Sequence, residues 1–208
     1  MVERIMRIGV FPCLGTCVMH ETSIQNVVYN TMSSMSVDIV PVRHVSLFET
    51  LDALIIPSAP ASALRRLMML PPWDEALHAY IVSGKPLWMT GEATALIRDG
   101  KVLDEEALFQ RLHGSSVHRR TAFGSGPQRF VIPFRETLSI AHIAEAYQAL
   151  FVQWVEHAPR ATMHILSKWR DHPVVFWEKQ FFYTVFSPEL CSDGRIHEYF
   201  LHYVAMFR

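Results

Sequence analysis

The sequence predicts an α/β domain with a mostly parallel central sheet and an additional antiparallel layer in its second half. In the first half, short apolar runs alternate with segments of helical periodicity, the order a doubly wound sheet requires. In the second half, short alternating stretches rich in β-branched and aromatic residues take over. At 208 residues and 50% hydrophobic content, the chain can fill one substantial core, and no composition shift divides it, so residues 1–208 are expected to form a single domain.

Residues 5–11 read as a buried first strand, closed by Pro12 and Gly15. A helix capped by Thr22 or Ser23 follows, with Ile24, Val27, Val28 and Met32 on one face. Val37 to Val42 is a second strand, and Leu51 to Pro57 a third, ended by Pro57 and Pro60. Pro71 and Pro72 open the next helix, Asp74 and Glu75 occupy its first turn, and Gly84 lies beyond its end, with Trp73, Leu77, Tyr80 and Ile81 as its core face. Lys85 to Thr90 is the following strand, turning at Gly91 into a helix-like Glu92 to Arg98. The later strands are expected at 116–121, 129–133, 151–155, 163–168, 174–177 and 181–186, before an amphipathic helix over 193–206.

Charge and composition exclude several functions. With 19 basic and 20 acidic residues the net charge is −1, so no field draws in nucleic acid or an anionic membrane, and His118-Arg119-Arg120 is too short for a phosphate-tracking groove. No run of about 18 apolar residues offers a membrane span. Three cysteines at unremarkable spacing argue against a secreted disulfide framework and for a reducing, cytoplasmic setting. Cys13 and Cys17 read as structural thiols, without a histidine pair nearby to make a metal site. His197 and His202 lie about 140° apart around a helix and cannot share a metal from one face, so His197 reads as a surface or capping residue. His20 reads as structural, and no metal or cofactor is expected.

In open parallel sheets, ligands bind beyond the carboxyl ends of the strands, which directs attention to the loop after Pro57. The stretch Phe182-Tyr-Thr-Val-Phe-Ser-Pro-Glu-Leu190, followed by Asp193, Arg195, His197 and Phe200, resembles the C-terminal signature of class I (triad) glutamine amidotransferases, whose PdxT type reads F-H-P-E-L. Five further matches fall in the same order. Ile8-Gly9-Val10 with Gly15 and His20 is similar to the family's opening. Leu54-Ile55-Ile56-Pro57 is similar to its L-I-L-P-G-G-E-S, and Gly84-Lys85-Pro86-Leu87-Trp88 to its G-K-P-x-x-G-T-C-A-G. Phe123-Gly124 is similar to N-S-F-G, and Val155-Glu156-His157-Ala158-Pro159 to F-I-R-A-P. The resemblance implies a three-layer, flavodoxin-like glutamine amidotransferase fold and the glutaminase subunit of pyridoxal 5′-phosphate synthase.

Glutamine hydrolysis of that kind requires a thiolate nucleophile, an imidazole to activate it and a carboxylate to orient the imidazole. Carried over residue by residue, the resemblance puts Gly91 where the cysteine belongs, Ser187 where the histidine belongs and Glu189 at the retained carboxylate. The substrate-pocket positions become Ser58, Ala59 and Pro60 in place of the glycine loop, Glu92 just after the lost nucleophile, and His157 in place of an arginine. Proline has no N–H to donate to an oxyanion, and a serine hydroxyl is no general base near neutral pH. The expectation is therefore a PdxT-like pseudo-glutaminase, poor at binding glutamine, that binds a synthase-type subunit or a related glutaminase subunit. Two alternatives remain: an active glutamine hydrolase working through displaced residues such as Cys13 or Cys17, and a small-molecule sensor. The aromatic residues, five tryptophans among them, suggest core packing with some partner surface.

Overall fold

The computed structural model describes residues 5–13, 15–32, 35–98, 101–113, 134–152 and 154–207. The expected strands at 116–121 and 129–133, the basic stretch 118–120 and the match at Phe123-Gly124 lie outside them.

Strands β1 (Met6–Val10), β2 (Val37–Pro41), β3 (Ala53–Ile56) and β4 (Leu87–Thr90) pair in parallel in the order β2-β1-β3-β4. The second half contributes β5 (Ile97–Arg98) with β6 (Lys101–Val102), β7 (Phe134–Leu138) with β8 (Tyr147–Phe151), and then β9 (Met163–Trp169), β10 (His172–Glu178) and β11 (Phe181–Thr184). β11 joins β4 in parallel, whereas β10 and β9 continue the same sheet antiparallel, giving the seven-stranded order β2-β1-β3-β4-β11-β10-β9. β7 and β8 form a separate antiparallel ribbon. The mixed sheet follows from length: a two-residue turn after Glu178 can reverse the chain only into an antiparallel neighbour.

Every residue of β3, β4 and β11 is buried, the near-continuous apolar pattern expected of strands covered on both faces. One face is covered by α1 (Thr16–Thr31) and the C-terminal helix α5 (Arg195–Phe207), whose His20, His197 and Phe200 all lie against the Trp88 ring. The other is covered by α2 (Ala61–Met68), α3 (Trp73–Val82) and a 3-10 turn at Val45–Thr50, where Phe11, Phe48, Trp73 and Tyr80 meet edge to face. A further helix, α4 (Glu105–His113), follows β6.

Several elements differ from the sequence expectation. Helix α1 begins at Thr16 rather than near Thr22, because Gly15 takes φ +81° and lets the chain reverse directly after β1. Its buried stripe is Cys17, His20, Ile24 and Val27, of which His20 carries no apolar signal in a periodicity count. The segment after Thr90 is a 3-10 turn, Gly91–Ala95, leading into β5 instead of a helix. The strand expected at 151–155 lies at Tyr147–Phe151, with Tyr147, Ala149 and Phe151 facing inward.

Candidate functional site

The C-terminal ends of β3, β4 and β11 lie side by side, and their register sets the loops level with one another. Ile56 pairs with Met89 and Thr184 with Thr90, so Ser58, Gly91 and Ser187 each follow within three residues. Gly91 takes φ +52°, in the left-handed region that favours glycine, as the chain leaves β4. Its N–H donates to the Phe186 carbonyl at 3.1 Å, and its carbonyl accepts from Thr94 Oγ1 at 2.7 Å, which locks the corner.

The space in front of that corner is filled. A Cβ placed on Gly91 would overlap Ser58 Oγ, lie 2.7 Å from Ser58 Cβ and lie 3.2 Å from Ser187 Oγ. Ser187 is fully buried, and its hydroxyl makes no hydrogen bond among the described residues. The neighbouring backbone donors are also engaged. Ser58 N–H donates to Thr90 Oγ1 at 2.8 Å, and Ala61 N–H donates to Glu92 Oε1 at 3.0 Å. Pro60 occupies the position before α2 and has no N–H, while Ala59 is buried beside it. Glu92 is buried too. Burial pushes its carboxyl above the usual range, and the Ala61 N–H bond partly offsets this.

Glu92 thus closes the N-terminus of α2, the kind of helix end that otherwise attracts anions. Glu92→Ala is expected to lower stability by about 1–2 kcal/mol in urea unfolding, by stranding the Ala61 N–H. Glu92→Gln, which keeps an acceptor oxygen, should lose less than half as much.

Behind the corner runs a buried polar chain. Thr90 Oγ1 donates to Glu189 Oε1 at 3.5 Å, Glu189 Oε2 lies 3.5 Å from His20 Nε2, and His20 Nδ1 lies 3.1 Å from His197 Nε2. The Glu189–His20 approach is too poorly aligned for a hydrogen bond, and both atoms lack another partner among the described residues. Burial pushes the Glu189 carboxyl up to about 7, against hydrogen bonds from its own backbone, Thr90 and Ser58 that favour the charged form. Burial drives His20 well below the ordinary histidine value, and His197 down to about 3, so both are neutral near pH 7. His197 is therefore a fully buried residue and not the surface or capping residue expected from its helix position. Its place on the apolar face of α5, one position after Ile196 and three before Phe200, was the available signal.

His157 lies elsewhere. It is 2% exposed, packed against Phe176 and Tyr183, and its Nδ1 accepts from Arg111 Nη2 at 2.8 Å. Burial, followed by the charges of Arg111 and Arg160, holds it well below the ordinary value. Arg111 carries no motif, and only its shared helical face with Leu108 hints at an inward position. Cys13 and Cys17 are free and buried, and burial raises both thiols, which disfavours the thiolate a nucleophile needs. Among the described residues no group of His, Cys, Asp and Glu side chains could hold a metal ion, and no helix is long and apolar enough to cross a membrane. The five tryptophans are buried or half-buried, so the exposed apolar residues are others, Val18 and Met19 on α1 and Leu190 among them.

The chain is 30% identical over 206 residues to the pyridoxal 5′-phosphate synthase subunit PdxT of Corynebacterium jeikeium, covering 96% of this chain and 97% of that protein. It is 30% identical over 167 residues to the PdxT subunit of Haloquadratum walsbyi, covering 79% and 78%, and 28% identical over 203 residues to that of Bacillus cereus, covering 96% and 95%. A crystal structure of a glutamine amidotransferase superposes with a TM-score of 0.66 at 19% identity, over 95% of this chain and 98% of the other, and shares its fold. The SNO glutamine amidotransferase family matches residues 10–206, nearly the whole chain, and the protein belongs to that family.

Proposed function

We propose that this chain is a degenerate glutaminase subunit of the vitamin B6 type, inactive in glutamine hydrolysis and retained to bind a protein partner. The observation that carries the reading is the filled corner at Gly91. Ser58 occupies the volume a nucleophilic side chain needs, Ser187 offers no base, and the donors Ser58 N–H and Ala61 N–H are turned to Thr90 and Glu92. In this reading Gly91, Ser187 and Glu189 stand at the family's three catalytic positions, with Ser58, Ala59, Pro60 and Glu92 around the former glutamine pocket, while His157, at the position of the family's arginine, is turned to Arg111. The buried, raised thiols of Cys13 and Cys17 count against a displaced nucleophile.

The partner we propose is a synthase-type subunit like the one the curated relatives' name implies, or an active glutaminase subunit. A groove of about 580 Å³ between α1 and α5, bordered by Val18, Met19 and Leu190, offers an apolar surface for it. Three free cysteines suit a reducing, cytoplasmic setting.

The test is glutamate release by the purified chain, alone and mixed with a synthase subunit, together with sedimentation of the mixture. The expected result is a complex with no turnover above the protein-free blank. Turnover that Cys13→Ser or Cys17→Ser abolishes would overturn the reading in favour of an active hydrolase.

A further inference from the structure

We propose that the groove between α2, α3 and β6 receives a second copy of this chain, forming a two-fold dimer. The groove lies on the face of the sheet opposite α1 and α5 and uses none of Ser58, Gly91 or Ser187, so the dimer stands or falls independently of the reading above. It measures about 530 Å³, and its floor is apolar, built from Leu77, Ile81 and Val102. The chain leaves α2 beside it through Leu67, Met69 and Leu70, which are 43%, 43% and 54% exposed. Single exposed apolar side chains are ordinary. Three within four positions, with Met69 itself lining the groove, make a patch of the kind that another surface covers. The flexible thioether of Met69 suits such a contact.

The charges around the groove select the occupant. One wall is α3, which presents Asp74, Leu77 and Ile81 at helical spacing with Glu75 beside them, and the other carries Lys101 of β6. Acid therefore stands on one wall and base on the other. None of the three charged side chains forms an ion pair among the described residues, and Asp74 accepts only the Glu75 N–H, at 2.8 Å. A two-fold rotation sets each wall against the opposite wall of the other copy, so that Asp74 and Glu75 of one chain meet Lys101 of its partner, twice over. A partner surface of a single charge sign would be repelled at one wall, whereas a second copy is attracted at both. The protruding turn of Leu67, Met69 and Leu70 next to an apolar recess is likewise self-complementary, since each copy offers both the projection and the recess. With a net charge of −1, two copies meet almost no general repulsion.

Sedimentation equilibrium of the purified chain over about 1–200 µM tests the proposal. A reversible monomer–dimer equilibrium is expected, weakened about tenfold or more by Leu70→Glu and unchanged by Tyr29→Ser, which removes an exposed aromatic residue from α1 on the opposite face. Glu75→Lys and Lys101→Glu each set like charges against one another in both pairings, and each alone should weaken the dimer by about tenfold. An equimolar mixture of these two variants should recover dimerisation, because every facing Glu75–Lys101 pair in the mixed dimer is again opposite in sign. A chain that stays monomeric throughout, a dimer indifferent to Leu70→Glu, or a mixture no better than its components overturns the proposal. So does a monomer whose complex with a synthase subunit is lost on Leu70→Glu, which would assign the groove to that partner. Leu70, Glu75 and Lys101 are all exposed, and far-UV circular dichroism checks that the variants keep the fold. If Glu75→Lys disturbs the first turn of α3, Lys101→Glu alone carries the charge test, and an unweakened dimer there overturns the proposal.

Discussion

Gly91→Ala is expected to lower the free energy of unfolding by about 2–4 kcal/mol, and Ser58→Gly in the same chain to recover about half of the loss. Two separate costs add up in the single variant. A side chain at φ +52° carries about 1–2 kcal/mol of backbone strain. The new methyl also overlaps Ser58 Oγ and sits 2.7 Å from Ser58 Cβ, an overpacking of roughly 1–3 kcal/mol that rotation of the hydroxyl cannot remove, because the Cβ is fixed by the backbone. Ser58→Gly removes both clashing atoms and leaves the strain. Urea unfolding of the two single variants and the double variant gives a coupling energy, expected at about 1–2 kcal/mol. A coupling near zero would mean that Ser58 does not fill the corner, and the structural basis of the inactive reading would go with it. The same geometry bears on the proposed function: a cysteine placed at position 91 alone is expected to yield no nucleophile, because Ser58 already fills the volume its side chain would need.

Much of the scaffold was legible from local pattern. β3 is an unbroken apolar run and β4 an apolar run ending in Thr90, bounded by prolines and a glycine, and such runs in alternation with helices leave few topologies open. The corner at Gly91 was legible as well, because a strand ending in Thr-Gly before a small-residue turn is a local feature. What occupies the corner was not. Ser58 and Gly91 lie 33 residues apart and meet only because Ile56 pairs with Met89, and register of that kind has no trace in either segment alone. His20, His197 and Glu189 converge for the same reason, from α1, α5 and the turn after β11. Reading His197 as a surface residue followed from its polarity, and the packing of α5 on Trp88 overrides that tendency. Arg111 and His157 come together across 46 residues, and a basic residue on a helix normally points to water, so nothing in the chain announced their contact.

Glu189→Gln should stabilise the protein above about pH 7 and change little near pH 4. The carboxyl titrates at about 7 in the folded chain against a reference of 4.5, so between these values the folded state keeps a proton that the unfolded chain gives up. Stability from this residue is fully present below about 4.5 and is lost as the pH rises through about 7. Above that the folded state must hold a buried carboxylate whose Oε2 has no hydrogen bond among the described residues. A difference of about 2.5 pH units corresponds to roughly 3 kcal/mol, the most a neutral isostere can recover. Glutamine suits the position because its amide can present either oxygen or nitrogen to His20 Nε2, whichever tautomer the His20–His197 contact selects, while the other atom faces Thr90. The buried histidines act in the opposite sense. His20, His157 and His197 all have lowered folded values, so their contribution is present above about 6.5 and is lost as the pH falls below it. Glu189 should therefore lower wild-type stability progressively between about pH 4.5 and 7 and by a constant amount above that, against the rise with pH that the histidines give over the acid range, whereas Glu189→Gln should show the histidine rise alone and then level off. Thermal unfolding at pH 5, 6.5 and 8 separates the two contributions. A gain for Glu189→Gln that is the same at all three values would mean that the side chain acts through packing and not through its charge, and that the carboxyl is ionised throughout.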